Sequence, residues 1–248
     1  MTKINKNKTK ISLLLAYARG RLIGRYSVCI MIIFCELFIR FLIDYIVSYV
    51  SGSDNLTVLQ LAITFIINIL FGVLAYGESL FFLRIANGED ETPLSDLFYG
   101  FTHNTDKALL IQLPFVLLSS LFSLPFYLNR LGFISVSIFE SPLLAPLITS
   151  IMETVAMLIV NMFLCPAYYV LCDSPDMSIN EIYLTSFSIM KNKKGRYFAI
   201  RLSLFPIYVL SLFTFGIGLL LYQPYLNTVQ ATFYLDENRR LKQPILKD

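Results

Sequence analysis

The chain has 248 residues, of which 56% are hydrophobic and 15% charged, with a formal net charge of +3 and a mean hydropathy of +0.65. Soluble domains carry about 45–50% apolar and about 25% charged residues. The composition therefore indicates a membrane protein and leaves little chain for a soluble catalytic domain.

The first predicted unit covers residues 11–83. Its first segment is amphipathic, with apolar residues at helical spacing at Ile11, Leu14, Leu15, Ala18 and Leu22. Apolar stretches at 26–48 and 58–83 then predict two membrane-spanning helices. The lysines before Ile11 imitate the start of a signal peptide, but the positive charge of Arg19, Arg21 and Arg25 opposes export, so we expect an amphipathic helix here.

The second unit covers residues 94–171 and repeats this order. Its amphipathic segment contains Leu94, Leu97, Phe98 and Phe101. Thr92 and Pro93 precede it, as a helix cap followed by proline at the first helical position. Spans are predicted at 108–128 and 143–171.

The third unit covers residues 178–236. Its amphipathic segment contains Ile179, Ile182, Tyr183 and Met190, and begins with the capping-box pattern of Ser178 and Glu181. Spans are predicted at 197–214 and 217–235, with a turn at residues 216–218. The last span holds Gln223, Pro224, Asn227 and Gln230, so five spans followed by a re-entrant segment is the alternative.

The three amphipathic segments start at residues 11, 94 and 179, which are 83 and 85 residues apart. This spacing predicts an internal repeat. The predicted fold is therefore an all-α membrane protein, a single polytopic domain over residues 1–248. Its six transmembrane helices form three units, each a cytoplasmic amphipathic helix followed by a helical hairpin.

Positive charge predicts the orientation, because lysine and arginine accumulate on the cytoplasmic side of membrane proteins. Of the 20 lysines and arginines, 17 lie before residue 26, between residues 84 and 107, between 172 and 196, or after 235. The opposite loops hold Arg130 alone, and Arg40 and Arg201 fall within spans. We expect a multi-pass protein of the bacterial cytoplasmic membrane with both termini in the cytoplasm.

The C-terminal third carries a recognisable pattern: Asp173 to Ser178, Met190 to Lys194, Leu202–Ser203, Thr214 to Gly218, Pro224–Tyr225 and Ala231 to Tyr234. It resembles the DUF975 family, integral membrane proteins of unknown function found mainly in Gram-positive bacteria. The resemblance is close over residues 170–236 and looser upstream, where Gly77, Leu80 and residues 97–101 look like the middle segment of the family. It implies the same fold and a cytoplasmic-membrane location, and adds little about mechanism.

Charged and amide side chains inside spans are candidate functional residues, because they are costly in hydrocarbon. The predicted intramembrane polar site consists of Glu36, Arg40, Asp44, Glu78, Glu153, Asn161, Gln223 and Asn227. Glu36, Arg40 and Asp44 share one helix face, and a self-neutralising triad is the alternative to a polar pathway. Glu153 has no basic neighbour along the chain, and hydrogen bonding to another helix is its alternative role. The amides, together with Asn68, either line a cavity or join helices.

Basic residues beside the first and third amphipathic segments are candidates for binding lipid headgroups, namely Arg19, Arg21, Arg25, Lys191, Lys193, Lys194 and Arg196. The alternative is that these segments pack on the bundle as cytoplasmic elbows.

No catalytic, cofactor or metal motif is evident, so we expect a non-enzymatic protein without cofactor or metal. The favoured function is transporter-like or lipid-interacting, in envelope physiology. An accessory or immunity-type protein against membrane-active peptides, or a partner of an export complex, is the alternative. An intramembrane enzyme that uses carboxylates is a third possibility. Expected partners are membrane lipids, a membrane protein or a second copy of the chain, and no nucleic acid.

Overall fold

The computed structural model describes residues 11–51, 58–89, 92–133, 135–137, 141, 144–214 and 217–242. Over these ranges the regular structure is helical and no β-strand is present. The α-helices are α1 (Ile11–Leu22), α2 (Tyr26–Ser51), α3 (Val58–Asn87), α4 (Thr105–Arg130), α5 (Leu144–Leu164), α6 (Ala167–Asp173), α7 (Ile179–Met190), α8 (Lys194–Leu212) and α9 (Leu219–Lys242). A 3₁₀-helix, Leu94–Phe101, lies between α3 and α4.

Four of the described helices are long and apolar enough to cross a membrane. Their apolar segments are Tyr26–Val47, Leu61–Asn87, Thr105–Asn129 and Leu147–Leu164. These correspond to the first four predicted spans. The chain therefore has the helices expected of a membrane protein, whereas the count of six spans and the threefold repeat remain predictions.

The fourth predicted span, 143–171, is wrong in its extent. α5 ends at Leu164 and a separate short helix, α6, begins at Ala167. Pro166 lies between them and lacks the N–H needed to continue the helical hydrogen bonds. Its carbonyl instead accepts the first bond of α6, from Val170 N at 2.8 Å.

α9 is the more polar of the two C-terminal helices, and protein surrounds much of it. It packs against α1, α2, α3, α7 and α8. Val229, Ala231 and Phe233 are buried, and the hydroxyls of Thr228 and Thr232 donate to carbonyls of their own helix. A helix that is covered in this way does not need a lipid-like composition.

The second predicted amphipathic segment is a 3₁₀-helix instead of an α-helix. Its predicted cap is wrong by one residue, because Pro93 and not Thr92 is the N-cap and the helix begins at Leu94. Two glycines bring this segment unusually close to α3. A Cβ built on Gly77 would collide with the carbonyl oxygen of Leu97, and one built on Gly100 would collide with the carbonyl oxygen of Val73. The two backbones therefore lie in direct contact. A larger residue at either glycine would require one of the two backbones to shift.

The third amphipathic segment begins as predicted. Ser178 Oγ accepts a hydrogen bond from Glu181 N at 3.4 Å, and the Glu181 carboxylate accepts one from Ser178 N at 2.8 Å. This confirms the capping box. The lysines before Ile11, residues 215–216, which include the first residue of the predicted turn, and the chain beyond residue 242 lie outside the described residues.

Burial is uneven along the long helices and divides the bundle into two halves. The packed half comprises α1, residues 26–36 of α2, residues 71–87 of α3, the 3₁₀-helix, α6, α7, residues 194–200 of α8 and α9. The open half comprises residues 37–47 of α2, 61–70 of α3, 117–129 of α4 and 147–155 of α5. In α2, Cys29 and Ile32 are fully buried, whereas Phe41 and Tyr49 are 65% and 80% exposed.

Candidate functional site

A cavity of about 340 Å³ opens in the open half between α3, α4 and α5. Its lining combines apolar, hydroxyl, amide and carboxylate side chains: Leu61, Ala62, Thr64, Phe65, Asn68, Ser119, Ser120, Ser123, Leu124, Tyr127 and Glu153. Its volume lies near the lower end of ligand pockets, which occupy about 300–1,000 Å³.

Glu153 is the one charged residue among the residues that line this cavity. It lies near the middle of α5 and is half-buried. Among the described residues, no side chain forms an ion pair or a hydrogen bond with its carboxylate. Tyr127 of α4 lies close enough to interact with it electrostatically.

Three serines form much of the polar wall on α4, and the hydroxyls of two of them donate to carbonyls of their own helix. Ser119 Oγ donates to Val116 O at 3.0 Å. Ser123 Oγ donates to Ser119 O at 3.0 Å and reaches Ser120 O at 3.3 Å. Such back-bonding satisfies the hydroxyl hydrogen and leaves oxygen lone pairs to accept from another group.

Arg40 connects α2 to the cavity wall. Its guanidinium lies 3.7 Å from the Glu36 carboxylate, one turn earlier, and 3.4 Å from Asn68 Oδ1. It also lies 4.0 Å from the centre of the Phe71 ring, which is a cation–π distance. Asn68 lines the cavity, so Arg40 contacts the cavity wall through Asn68 but does not line the cavity itself.

Glu78 and Asn227 join α3 to α9 in the adjoining part of the bundle. Asn227 Nδ2 donates to Glu78 Oε1 at 2.6 Å, and Tyr169 OH donates to Asn227 O at 3.4 Å. Glu36 and Arg40 are close enough to Glu78 to interact with it electrostatically. The structure therefore brings these four predicted residues of α2, α3 and α9 together.

The other predicted residues lie apart from this cluster. Asp44 is exposed, and no ion pair or hydrogen bond connects it to Arg40 in the described structure. Asn161 Nδ2 donates to Met157 O of its own helix at 2.8 Å. Gln223 is partly exposed, whereas Gln230 donates to Tyr197 OH at 3.2 Å. Within the described part, the triad on α2 is thus reduced to the Glu36–Arg40 pair.

Several of the predicted headgroup residues contact other parts of the protein. Lys193 lies 2.5 Å from Glu237, and Arg196 contacts both Asp236, at 2.7 Å, and Glu237. Lys194 lies 3.4 Å from the centre of the Phe163 ring. These contacts anchor the start of α8 to α9 and α5.

Two of the three predicted basic residues of the first segment also contact protein, and the third is exposed. Arg21 donates to Tyr17 OH at 2.9 Å, and Arg25 donates to Glu89 O. Arg19, like Lys191 of the third segment, is exposed. Lipid binding by these residues remains a prediction.

The packed half contains an ion pair that the sequence did not indicate. Arg84 of α3 contacts Asp96 of the 3₁₀-helix at 2.7 Å and 2.9 Å. Burial raises the pKa of Asp96, and the neighbouring Arg84 guanidinium opposes that shift. The pair holds the 3₁₀-helix to α3 beside the two glycine contacts.

Sequence reasoning also missed Thr64, the three serines and Tyr127. The available signal was the placement of Ser119, Ser120 and Ser123 within one turn of an otherwise apolar span, which groups small polar residues along one side.

The fold and the cavity together describe an all-helical protein with apolar helices of membrane-spanning length and a polar cavity between three of them. The chain belongs to the DUF975 family. The family model, described as a protein of unknown function, matches residues 9–240. This confirms the resemblance in the sequence. No curated protein and no solved structure matches the chain.

Proposed function

We propose that this protein is a non-enzymatic, transporter-like protein of the bacterial cytoplasmic membrane that binds a small solute in the cavity beside Glu153. The proposal includes six spans and cytoplasmic termini, which the distribution of lysine and arginine supports. The single observation that carries the solute-binding role is the cavity itself, with a half-buried carboxylate on its wall.

The position of the cavity supports this role. Residues 61–68, 119–127 and 153 belong to the apolar segments of α3, α4 and α5, so the cavity lies at membrane depth if these helices cross a bilayer. A carboxylate at that depth is costly and marks a functional site by default. Transporters commonly place substrate sites near the midplane between helices.

Headgroup binding has less support than solute binding. Lys193 and Arg196, two of the predicted headgroup residues, form ion pairs with acidic residues of α9. Their charge is partly neutralised inside the protein, which reduces what they offer to an anionic lipid surface. The accessory or immunity-type role makes no use of the cavity, so access of solute to the cavity separates it from the transporter-like role.

Cysteine labelling tests the proposal. The four native cysteines are replaced by alanine, and Ser120→Cys is reconstituted into vesicles and treated with a thiol reagent that is soluble in water but does not cross membranes. We expect labelling, because a solute-binding cavity must admit water. Leu117→Cys, whose native side chain is 50% exposed and does not line the cavity, is the matched control and should resist the reagent because lipid covers it.

A transporter-like protein must also expose the cavity to each side of the membrane in turn. Labelling of Ser120→Cys is therefore expected from the outside of the vesicles and, when the reagent is enclosed, from the inside. Absence of labelling from both sides, with Leu117→Cys equally unreactive, overturns the solute-binding role and leaves the accessory role in place.

A further inference from the structure

We propose that the solute of this cavity is a protonated primary amine with a short apolar body, held by Glu153 and the serine oxygens of α4. This inference rests on the proposed function and adds the chemical class of the ligand. The observation behind it is that the polar wall offers negative charge and hydrogen-bond acceptors.

The charge of the cavity lining favours a cationic ligand. Glu153 is the one aspartate, glutamate, lysine or arginine among the lining residues, and in the described structure no lysine or arginine lies within ion-pair distance of it. A carboxylate at membrane depth without a cationic partner is stabilised most by a cation that enters the cavity. An anionic solute is disfavoured for the same reason.

The hydrogen-bond acceptors of the cavity lining favour a primary ammonium over a quaternary one. Ser119 and Ser123 donate their hydroxyl hydrogens to carbonyls of α4, so their oxygens can accept but their hydrogens are already engaged. A primary ammonium group carries three N–H donors, which can be shared between a carboxylate and hydroxyl oxygens. A quaternary ammonium carries none, and leaves those acceptors without a partner.

The apolar residues of the cavity lining favour a hydrocarbon chain on the amine. Leu61, Phe65 and Leu124 share the cavity with the polar groups. A short hydrocarbon chain attached to the amine can therefore contact apolar side chains while the ammonium faces Glu153. The volume of about 340 Å³ favours a small body over a large amphiphile.

Calorimetry on the full chain in lipid nanodiscs tests the class of ligand with three probes of one chain length. The probes are n-butylammonium, n-butyltrimethylammonium and n-butanol, and empty nanodiscs correct for partition into lipid. We expect n-butylammonium to bind at least about tenfold more tightly than either of the others, since tenfold is a modest difference for one charge-assisted contact.

Two variants identify the groups responsible. Glu153→Gln keeps the shape of the side chain and should weaken n-butylammonium binding by about tenfold or more, while leaving n-butanol unchanged. Ser123→Val removes an acceptor and should weaken binding of the primary amine but not of the quaternary one. Glu181→Gln removes an exposed carboxylate at the start of α7 and should change neither.

The outcomes separate this inference from the proposed function. Equal binding of all three probes, or unchanged n-butylammonium binding in Glu153→Gln, overturns the amine class. If none of the three probes binds, the amine class is overturned as well. If Ser120→Cys is nevertheless labelled from the aqueous phase, the solute-binding role stands and only the ligand class fails. If Ser120→Cys is unreactive as well, both proposals fail.

Discussion

The two halves of the bundle differ in the surroundings of their charged side chains. In the packed half, buried charged side chains have protein partners, as in the contacts of Arg84 with Asp96 and of Arg196 with Asp236 and Glu237. In the open half, Glu153 faces a cavity and Asp44 is exposed. The difference indicates that the packed half contributes more to stability, and the proposed binding cavity lies in the open half.

Apolar side chains show the same contrast. Tyr76, Phe81 and Phe82 of α3 are buried among other helices, whereas Ile66 and Leu70 of the same helix are 57% and 52% exposed. Apolar side chains in the open half gain little from protein contacts, and a lipid environment would cover them. The open half therefore depends on its surroundings more than the packed half does.

The segments that carry the family resemblance also meet in the packed half. Tyr234 OH, from the segment 231–234, donates to Asp173 Oδ2, from the segment 173–178, at 2.6 Å. Gly77 contacts the backbone of Leu97 directly. The recognisable pattern thus describes the framework of the bundle, while the cavity is formed by residues outside that pattern.

The largest expected effect concerns buried charge in the packed half. Arg196→Met removes a cation that contacts Glu237, whose side chain is 3% exposed. Breaking a buried ion pair from one side costs about 3–5 kcal/mol. Glu237 keeps its contact with Lys193 in this variant, whereas Asp236 loses its contact with Arg196, so the effect should lie at the lower end of that range. We expect a loss of about 3 kcal/mol in the free energy of unfolding, measured by denaturant titration in detergent with helicity as the signal.

Arg40→Met is the matched variant in the open half, where the arginine side chain is 40% exposed and its ion pair measures 3.7 Å. Polar side-chain interactions in membrane proteins average about 0.6 kcal/mol, and we expect a loss of that order. If Arg40→Met destabilises the protein as much as Arg196→Met does, the distinction between the halves is wrong.

Continuous apolar runs made the first four spans predictable, because a lipid environment requires them. The same reasoning predicted a span at 217–235, where α9 lies, but less firmly, since neighbouring helices cover α9 and its composition need not match lipid. The 3₁₀-helix could not be foreseen from hydrophobic spacing, which fits a short 3₁₀ segment and an α-helix almost equally well. What decides between them is the approach of Gly77 and Gly100, a property of the folded bundle.

The candidate site was predictable only where its geometry is local. Spacing by one turn suggested the Glu36–Arg40 pair, and the absence of a nearby cation singled out Glu153. The contact of Glu78 with Asn227 joins residues 149 positions apart, and sequence spacing carries no information about it. The serines did not stand out because serine in a membrane helix is commonly satisfied by its own backbone, as Ser119 and Ser123 are here.

An effect between those of Arg196→Met and Arg40→Met is expected where α3 meets the 3₁₀-helix. Gly77→Ala places a Cβ against the Leu97 carbonyl, and overpacking of this kind costs about 1–3 kcal/mol. Gly20→Ala is the matched control on α1, since a Cβ there meets nothing within 4 Å. In that helix alanine is favoured over glycine by about 1 kcal/mol.

Thermal unfolding in detergent should therefore move in opposite directions for the two glycine variants, with Gly77→Ala melting below and Gly20→Ala at or above the native protein. Equal melting temperatures would mean that the 3₁₀-helix moves away from α3 at no cost. In that case the packed half is less rigid than its contacts indicate.

The smallest effect concerns the exposed rim of the packed half, at the capping box of α7. The hydrogen bonds from the Ser178 backbone and hydroxyl hold the pKa of Glu181 below its ordinary value. A carboxyl group whose pKa is lowered on folding stabilises the folded state when it is ionised. This contribution is complete above the ordinary glutamate pKa of about 4.3 and is lost as the pH falls through the lowered value.

Glu181→Gln should accordingly melt slightly below the native protein at neutral pH, and the difference should vanish on acidification below the pKa of Glu181 in the folded protein. Ser188→Ala is the control, since its hydroxyl donates to Thr185 O and involves no carboxylate, so any change it causes should not depend on pH. A difference between Glu181→Gln and the native protein that persists unchanged at low pH would mean that the ionised carboxylate contributes nothing at this cap. The stability of the packed half would then come from its buried contacts alone, which would sharpen its contrast with the open half.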